Sequence, residues 1–121
     1  MLHRKLYSKN SCDILRCTQC GLGHAEAGSF DVHSYYTEDY FSGARRDGYA
    51  DYRASEPVLR REFARTVQFI RRFRKSGRLL EIGCAYGFFL QEASRFYNVA
   101  GIEIAEAAVG FCQARGLSVT T

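Results

Sequence analysis

The pattern of apolar and polar positions is most regular in the middle of the chain. Apolar residues recur there at spacings of three and four, at Leu59, Phe63, Val67, Ile70 and Phe73. This period predicts an amphipathic helix over residues 56–75, with Ser55 as N-cap and Gly77 at its end. The arginines of the segment mostly avoid the apolar stripe, so we expect them to face solvent or a neighbouring loop.

Short strand-like and helix-like patterns alternate from residue 78 to the end of the chain. The patterns predict strands over 78–82 and 98–104, helices over 88–97 and 106–115, and the start of a third strand at 117. Strands that alternate with helices form a parallel sheet. The fold class is therefore predicted as α/β, with part of a doubly wound parallel sheet.

The first 54 residues show no clear period. Residues 1–28 hold three cysteines, two histidines and several glycines, which predicts a small loop-rich segment. Residues 29–54 are rich in aromatic side chains and predict turns and short helical pieces. We therefore divide the chain into a cysteine-containing segment (1–28), an aromatic segment with the long helix (29–77) and a sheet-forming segment (78–121).

The composition is that of an ordinary globular domain, with 46% hydrophobic and 25% charged residues among 121. The net charge is +4, and much of the positive charge lies between Arg45 and Arg78. Such a balance fits either an anionic partner such as nucleic acid or a solvated arginine face on a helix. We favour the solvated face and keep nucleic acid as an open alternative.

Five cysteines occur in the chain, at positions 12, 17, 20, 84 and 112. An odd number of cysteines without a secretory leader favours free thiols or metal ligands in a reducing compartment. We therefore expect a cytoplasmic location. No apolar run approaches the length of a membrane span, so no membrane partner is expected.

The stretch from Leu79 to Leu90 carries the chemical argument. A predicted strand ends near Glu81, and a turn of mostly small residues follows, namely Gly83, Cys84, Ala85, Tyr86 and Gly87. Ligands of open α/β sheets bind outside the carboxyl ends of the strands, where this turn lies. Twenty residues after Gly83, the next strand ends in Glu103, whose carboxylate is placed to accept hydrogen bonds from ribose hydroxyls.

The spacing of the glycines separates two cofactor classes. Dinucleotide-binding turns have the form G-x-G-x-x-G, in which the middle glycine admits the pyrophosphate. The present turn reads G-x-x-x-G from Gly83 to Gly87, and Phe88 stands where the third glycine of the dinucleotide pattern would be. A nucleotide-dependent oxidoreductase is therefore disfavoured.

The order Glu81-x-Gly83-x-Ala85-x-Gly87 resembles the first motif of class I S-adenosylmethionine-dependent methyltransferases, with alanine in place of the central glycine. The stretch 99–104, V-A-G-I-E-I, is similar to their second motif. This resemblance implies a Rossmann-like fold. It further implies that Glu81 and the 83–87 turn hold the methionine part of S-adenosyl-L-methionine, with Glu103 on the ribose and Ile104 beside the adenine.

The segment before the helix, with S-Y-Y-T-E-D-Y-F from Ser34 and then G-Y-A-D-Y from Gly48, resembles that of bacterial family members with an N-terminal zinc-ribbon knuckle. The resemblance implies that Tyr35, Tyr36 and Tyr40 close the cofactor pocket. The alternative is that these tyrosines are ordinary amphipathic packing residues.

Cys17 and Cys20 form a C-x-x-C-G-L knuckle, a spacing that lets two thiolates bind one zinc ion. A structural site needs four ligands, and no second pair is present in the sequence. Zinc is therefore a candidate cofactor on these two residues, and free thiols of a degenerate knuckle are the alternative. Cys84 lies within the turn, where it is expected to be a small structural residue.

Methyl transfer from a sulfonium depends mainly on positioning the donor against an acceptor. In the methyltransferase family that the motifs resemble, the residues that bind the methyl acceptor follow the fourth and later strands of the sheet. We therefore name no catalytic residue and expect a small-molecule acceptor.

We expect the chain to be the N-terminal part of a longer enzyme, with its open sheet edge covered by dimerisation or a partner. The alternatives are an inactive fragment and a zinc- or arginine-rich module that binds nucleic acid or a protein.

Overall fold

The computed structural model describes residues 2–26 and 28–121, which form two compact units, Met1–Asp31 and Val32–Thr121. The helices and strands are β1 (His3–Lys9), β2 (Cys12–Cys17), β3 (Gly23–Glu26), α1 (Val32–Tyr35), α2 (Glu38–Ser42), α3 (Glu56–Ile70), β4 (Arg78–Ile82), α4 (Phe88–Ala93), β5 (Asn98–Ile102), α5 (Glu106–Ala114) and β6 (Val119–Thr120). The chain is therefore mixed α/β, with one antiparallel and one parallel sheet of three strands each.

The first unit is an antiparallel sheet in the order β1-β2-β3. A two-residue turn joins β1 to β2, and both of its residues have positive φ, Asn10 at 51° and Ser11 at 59°. Positive φ at both central residues is the geometry of the tight hairpin turns that match strand twist. The expectation of a loop-rich segment was wrong, because backbone pairing organises most of residues 3–26 into strands.

The second unit is built on a parallel sheet in the order β4-β5-β6. Its strands pair in register from Arg78 with Asn98 to Ile82 with Ile102, so the carboxyl ends of β4 and β5 lie side by side. The predicted parallel sheet is confirmed. β5 ends at Ile102 rather than at residue 104, because the backbone of the next residues turns toward α5.

The long helix α3 ends earlier than its apolar pattern suggests. Val67 is buried, and Leu59, Phe63 and Ile70 are half-buried and pack against the core. Phe73 lies beyond the last helical turn and is 78% exposed, so its place in the predicted stripe was wrong. Ser55 precedes the helix without capping it, since its hydroxyl donates to the Asp51 carbonyl at 2.7 Å.

The core of the second unit lies between the helices and the parallel sheet. The side chains of Phe88 and Leu90 in α4 and of Ala108 and Cys112 in α5 are fully buried there. The buried Glu92 carboxylate is bound by Arg60 of α3 at 2.7 Å and by Arg95 at 3.0 Å, which joins α3 to α4. This packing fixes the elements from which the turn after β4 and the end of β5 project.

Within the described residues, no helix is both long and apolar enough to cross a membrane.

Candidate functional site

The turn after β4 is held against the end of β5 by its own backbone. The N–H groups of Gly83 and Cys84 both donate to the carbonyl of Ile102, at 2.8 and 3.2 Å. The N–H of Gly87 then donates to the Cys84 carbonyl at 2.8 Å and closes the turn before α4 begins. The loop therefore lies across the carboxyl ends of the two parallel strands.

Every second residue of the turn has a left-handed backbone. The φ angles are 76° at Gly83, 46° at Ala85 and 70° at Gly87. Glycine adopts this region freely, whereas an alanine pays roughly 1–2 kcal/mol for the contact between its Cβ and the backbone. Ala85 therefore keeps the backbone shape of a G-x-G-x-G turn although its residue type differs.

The two glycines of the turn serve different purposes. A Cβ on Gly87 would lie 2.7 Å from Leu117 Cδ1 and 2.8 Å from Cys112 Sγ, so the core requires its absence. A Cβ on Gly83 would meet no atom of the described residues within 4 Å, its chain neighbours apart. The backbone at Gly83 therefore leaves open space beside the turn, which a ligand can approach closely.

Glu103 ties the turn to the end of β5. Its side chain is 5% exposed, and its carboxylate accepts the N–H of Ala85 at 2.6 Å, of Ile104 at 2.8 Å and of Ala105 at 3.0 Å. A carboxylate has about four acceptor positions, so these bonds leave roughly one, on Oε2. Glu103 is thus first a residue that shapes the turn, with room for about one further hydrogen bond rather than two.

Glu81, near the end of β4, contributes a buried carboxylate oxygen. Its Oε2 is buried and has no hydrogen-bond partner among the described residues. Burial, with a smaller contribution from the negative charge of Glu103, raises the pKa of Glu81 to about 7. A buried acceptor without a donor is costly, so a ligand that brings a cation or a donor to this carboxylate would be stabilised there.

A cavity of about 450 Å³ opens beside the turn and the strand ends. Its walls are Tyr36, Tyr40, Phe41, Tyr49, Tyr52, Ile82, Gly83, Ala85, Ile102, Glu103 and Ile104. Ile82 and Ile102 are neighbours across the parallel pair and are 79% and 38% exposed, so they give the cavity an open apolar surface. The size and mixed lining are those of a small-molecule site.

The tyrosines of the cavity differ in burial. Tyr52 is buried and stacks on Phe88 at 5.5 Å, and desolvation, with a smaller effect of Tyr49, raises its pKa to about 12. Tyr36 and Tyr40 are half-buried, and Tyr49 is 46% exposed. Burial also raises the pKa of Tyr40, so the hydroxyls of Tyr40 and Tyr52 are neutral at physiological pH, and all four side chains present aromatic walls.

Several of the predicted site residues lie away from the cavity walls. The hydroxyl of Tyr35 donates to Asp47 at 3.0 Å, and that of Tyr86 donates to Glu38 at 2.7 Å. Cys84 is buried beside Cys112, and its hydrogen bond with Cys112, together with burial, raises the pKa of its thiol. The predicted site residues that do line the cavity are Tyr36, Tyr40, Gly83, Ala85, Glu103 and Ile104. Glu81 and Gly87 do not line it, although Glu81 is adjacent in sequence to the lining strand end and Gly87 belongs to the turn.

Tyr49 and Tyr52 line the cavity although no role there was predicted for them. They belong to the aromatic stretch before α3, in which the resemblance assigned a pocket role to Tyr35, Tyr36 and Tyr40 and the irregular spacing marked no further residue. Their place is set by backbone bonds from Tyr49 N–H to the Tyr40 carbonyl and from Tyr52 N–H to the Phe41 carbonyl. A loop that folds back onto the short helix α2 in this way leaves no periodic pattern in the sequence.

The knuckle of the first unit brings two thiols together. Backbone N–H groups of Cys20 and Gln19 lower the pKa of Cys17, which favours a thiolate. The part of the chain that the structure describes contains no group of three or more His, Cys, Asp or Glu side chains placed to share a metal ion. Zinc binding at Cys17 and Cys20 stays a prediction.

Many arginines of the basic segment contact other side chains. Arg60 pairs with Glu92, Arg65 pairs with Glu62 at 2.7 Å, and the guanidinium of Arg71 lies 3.8 Å from the Phe96 ring centroid. These contacts favour the interpretation of a solvated, internally paired arginine face, and a nucleic-acid partner stays a prediction.

Comparison of the sequence with protein-family models gives no match, and comparison with curated proteins gives no significant relative. The case for a function therefore depends on the geometry of the turn, the two glutamates and the cavity.

Proposed function

We propose that residues 32–121 bind S-adenosyl-L-methionine and form the cofactor-binding part of a class I methyltransferase with a Rossmann-like fold. One observation carries the proposal, namely a small-molecule cavity bounded by an open left-handed turn, with the nearly saturated carboxylate of Glu103 in its wall just after β5. The carboxylate of Glu81, with one unsatisfied oxygen, lies on β4 one residue before the wall residue Ile82. The motif order and the placement of the turn at adjacent parallel strand ends support it.

The residues present fit the parts of this cofactor. The unsatisfied Glu81 carboxylate suits the ammonium of the methionine part, and the open backbone at Gly83 allows close approach. The remaining acceptor position of Glu103 suits one ribose hydroxyl, and the half-buried Ile104 provides an apolar wall for the adenine.

The bound cofactor supplies an electrophilic methyl group on a sulfonium. The chain's own residues would bind and orient this donor and, through the tyrosines, keep water from it. No side chain here is assigned as a general base, and the acceptor is proposed only as a small molecule.

The test is calorimetric titration of the purified chain with S-adenosylhomocysteine and, separately, with NAD. We expect S-adenosylhomocysteine to bind and NAD to bind more weakly or not at all. Glu81→Gln should weaken S-adenosylhomocysteine binding by about tenfold or more, because a charge-assisted hydrogen bond to the ammonium is lost.

Glu81→Gln is the sharpest variant because no hydrogen bond to Glu81 Oε2 is lost within the protein. Glu103→Ala would release three backbone N–H groups and disturb the turn as well as the ligand. Glu62→Gln, on the exposed face of α3, is the matched control and should leave binding unchanged. A folded wild-type chain that binds no S-adenosylhomocysteine, or prefers NAD, would overturn the proposal.

A further inference from the structure

The cavity differs from the rest of the chain in its charge. The protein carries 17 lysines and arginines and a net charge of +4, yet none of the described residues that line the cavity is Lys, Arg or His. The charged group in its wall is the Glu103 carboxylate, whose negative charge adds to the larger effect of burial in raising the pKa of Glu81. The electrostatic potential inside therefore favours a cation.

A cation that acts on Tyr40, Arg45, is paired with an acidic side chain. Arg45 pairs with Asp47 at 2.6 Å, and its guanidinium lies 4.3 Å from the ring centroid of Tyr35, which does not line the cavity. Arg45 therefore brings no net positive charge to the tyrosine walls, and the negative potential of the cavity is preserved.

The aromatic walls add to this preference. Tyr36 and Tyr40 meet at 4.9 Å with planes 76° apart, Tyr40 and Tyr49 at 5.6 Å and 88°, and Tyr49 and Tyr52 at 4.8 Å and 72°. The four rings therefore line one side of the cavity as a chain of nearly perpendicular planes, with Tyr52 also stacked on Phe88 and Tyr49 on Phe41. Aromatic rings that line a pocket at such angles can offer their free negative faces to an onium cation.

We infer that Tyr36, Tyr40, Tyr49 and Tyr52 form a cage for the positively charged sulfonium, so that the site selects the charged methyl donor over its neutral product. This inference rests on the proposed function and adds to it the basis of discrimination between S-adenosylmethionine and S-adenosylhomocysteine. The two ligands share the adenine, ribose and amino-acid parts and differ in the methyl group and the charge on sulfur, so the cage acts on that difference alone.

The test is parallel calorimetric titration of the chain with the two ligands. We expect S-adenosylmethionine to bind about tenfold more tightly, as a cation–π contribution of ordinary size predicts. Tyr49→Leu should reduce this ratio to about threefold or less by weakening S-adenosylmethionine, whereas Tyr49→Phe should retain most of it because the ring face remains.

Tyr36→Leu provides a second variant in case one substitution alters folding, and circular dichroism checks the fold of each. Phe69→Leu is the control, since Phe69 is 56% exposed on α3 and does not line the cavity. It should leave the ratio unchanged. Equal binding of the two ligands to the wild type, or equal weakening of both by Tyr49→Leu and Tyr36→Leu, would overturn the cage while leaving the proposed function intact. Failure of both ligands to bind the folded wild type would overturn the two together.

Discussion

The unit of residues 2–31 and the unit of residues 32–121 each contain a three-stranded sheet, but they bury their side chains to very different extents. Every residue of β1 is exposed, and none of the described residues of the first unit is buried. The second unit buries Phe88, Leu90, Ala93, Ala108 and Cys112 completely.

The first unit is instead held by polar contacts. Its strands pair through their backbones, Lys5 forms an ion pair with Asp13 at 2.7 Å, and the Ser8 hydroxyl donates to the same carboxylate at 2.6 Å. Exposed polar contacts contribute little to stability. Two sheets of similar size therefore depend on different forces for their stability. Substitutions in each unit can measure how much each force contributes.

The largest expected difference comes from truncating a leucine in each unit. Leu90→Ala should lower the free energy of unfolding of the second unit by about 2–5 kcal/mol, because it empties a fully buried site. Leu6→Ala, at a leucine 46% exposed on β1, should change stability by less than about 0.5 kcal/mol. Urea unfolding of both variants measures the difference, and similar losses would refute the contrast.

The second difference is in the response to pH. The pKa of Glu81 is raised from its ordinary value of 4.5 to about 7, so the folded state holds its proton more tightly. The second unit should therefore lose stability as the pH rises from 4.5 through 7. Unfolding measured at pH 5 and pH 8 should show this loss in the wild type and much less of it in Glu81→Gln.

The pH dependence that Asp13 gives to the stability of the first unit has the opposite sign. Hydrogen bonds from Lys5 and Ser8 lower its pKa below the ordinary 3.8, so its contribution is present above that pH and is lost as the pH falls through its folded value. Amide exchange of β1 and β2 should therefore show loosening in acid that Asp13→Asn abolishes. A common pH trend in both units would contradict this contrast.

The smallest expected effects come from residues with left-handed backbones. Ser11→Gly should stabilise the β1–β2 hairpin by about 0.5 kcal/mol, because glycine suits the second position of this turn. Ala85→Gly should raise the free energy of unfolding of the second unit by about the same amount, as relief of strain exceeds the added chain entropy. Amide exchange of each unit measures both, and each gain should be confined to its own unit.

The sequence predicts the second unit better than the first for a physical reason. Buried faces leave a period in the sequence, and the strand 78–82 and the starts of α3, α4 and α5 follow from it with the observed bounds. The exposed strands of the first unit leave no such period. Helix ends were less accurate, because Phe73 continues the apolar pattern after the backbone has left the helix.

The candidate site shows the same division. The motif located Gly83, Ala85 and Glu103, since their spacing reflects the backbone of one local turn. It did not locate Tyr49 and Tyr52, because contacts between separate loops decide which aromatics of residues 29–54 reach the cavity. The spacing of the motif residues also does not predict that the Glu103 carboxylate accepts hydrogen bonds from three backbone N–H groups.

That pairing has a consequence for the kinetics of ligand capture. Because Glu103 holds the turn through Ala85 and the segment after β5 through Ile104 and Ala105, this wall needs no ordering when a ligand arrives. The conformational entropy of this wall is lost during folding rather than during association. Ligand entry should therefore proceed as a single step whose observed rate increases linearly with ligand concentration, without the plateau that a slow rearrangement imposes.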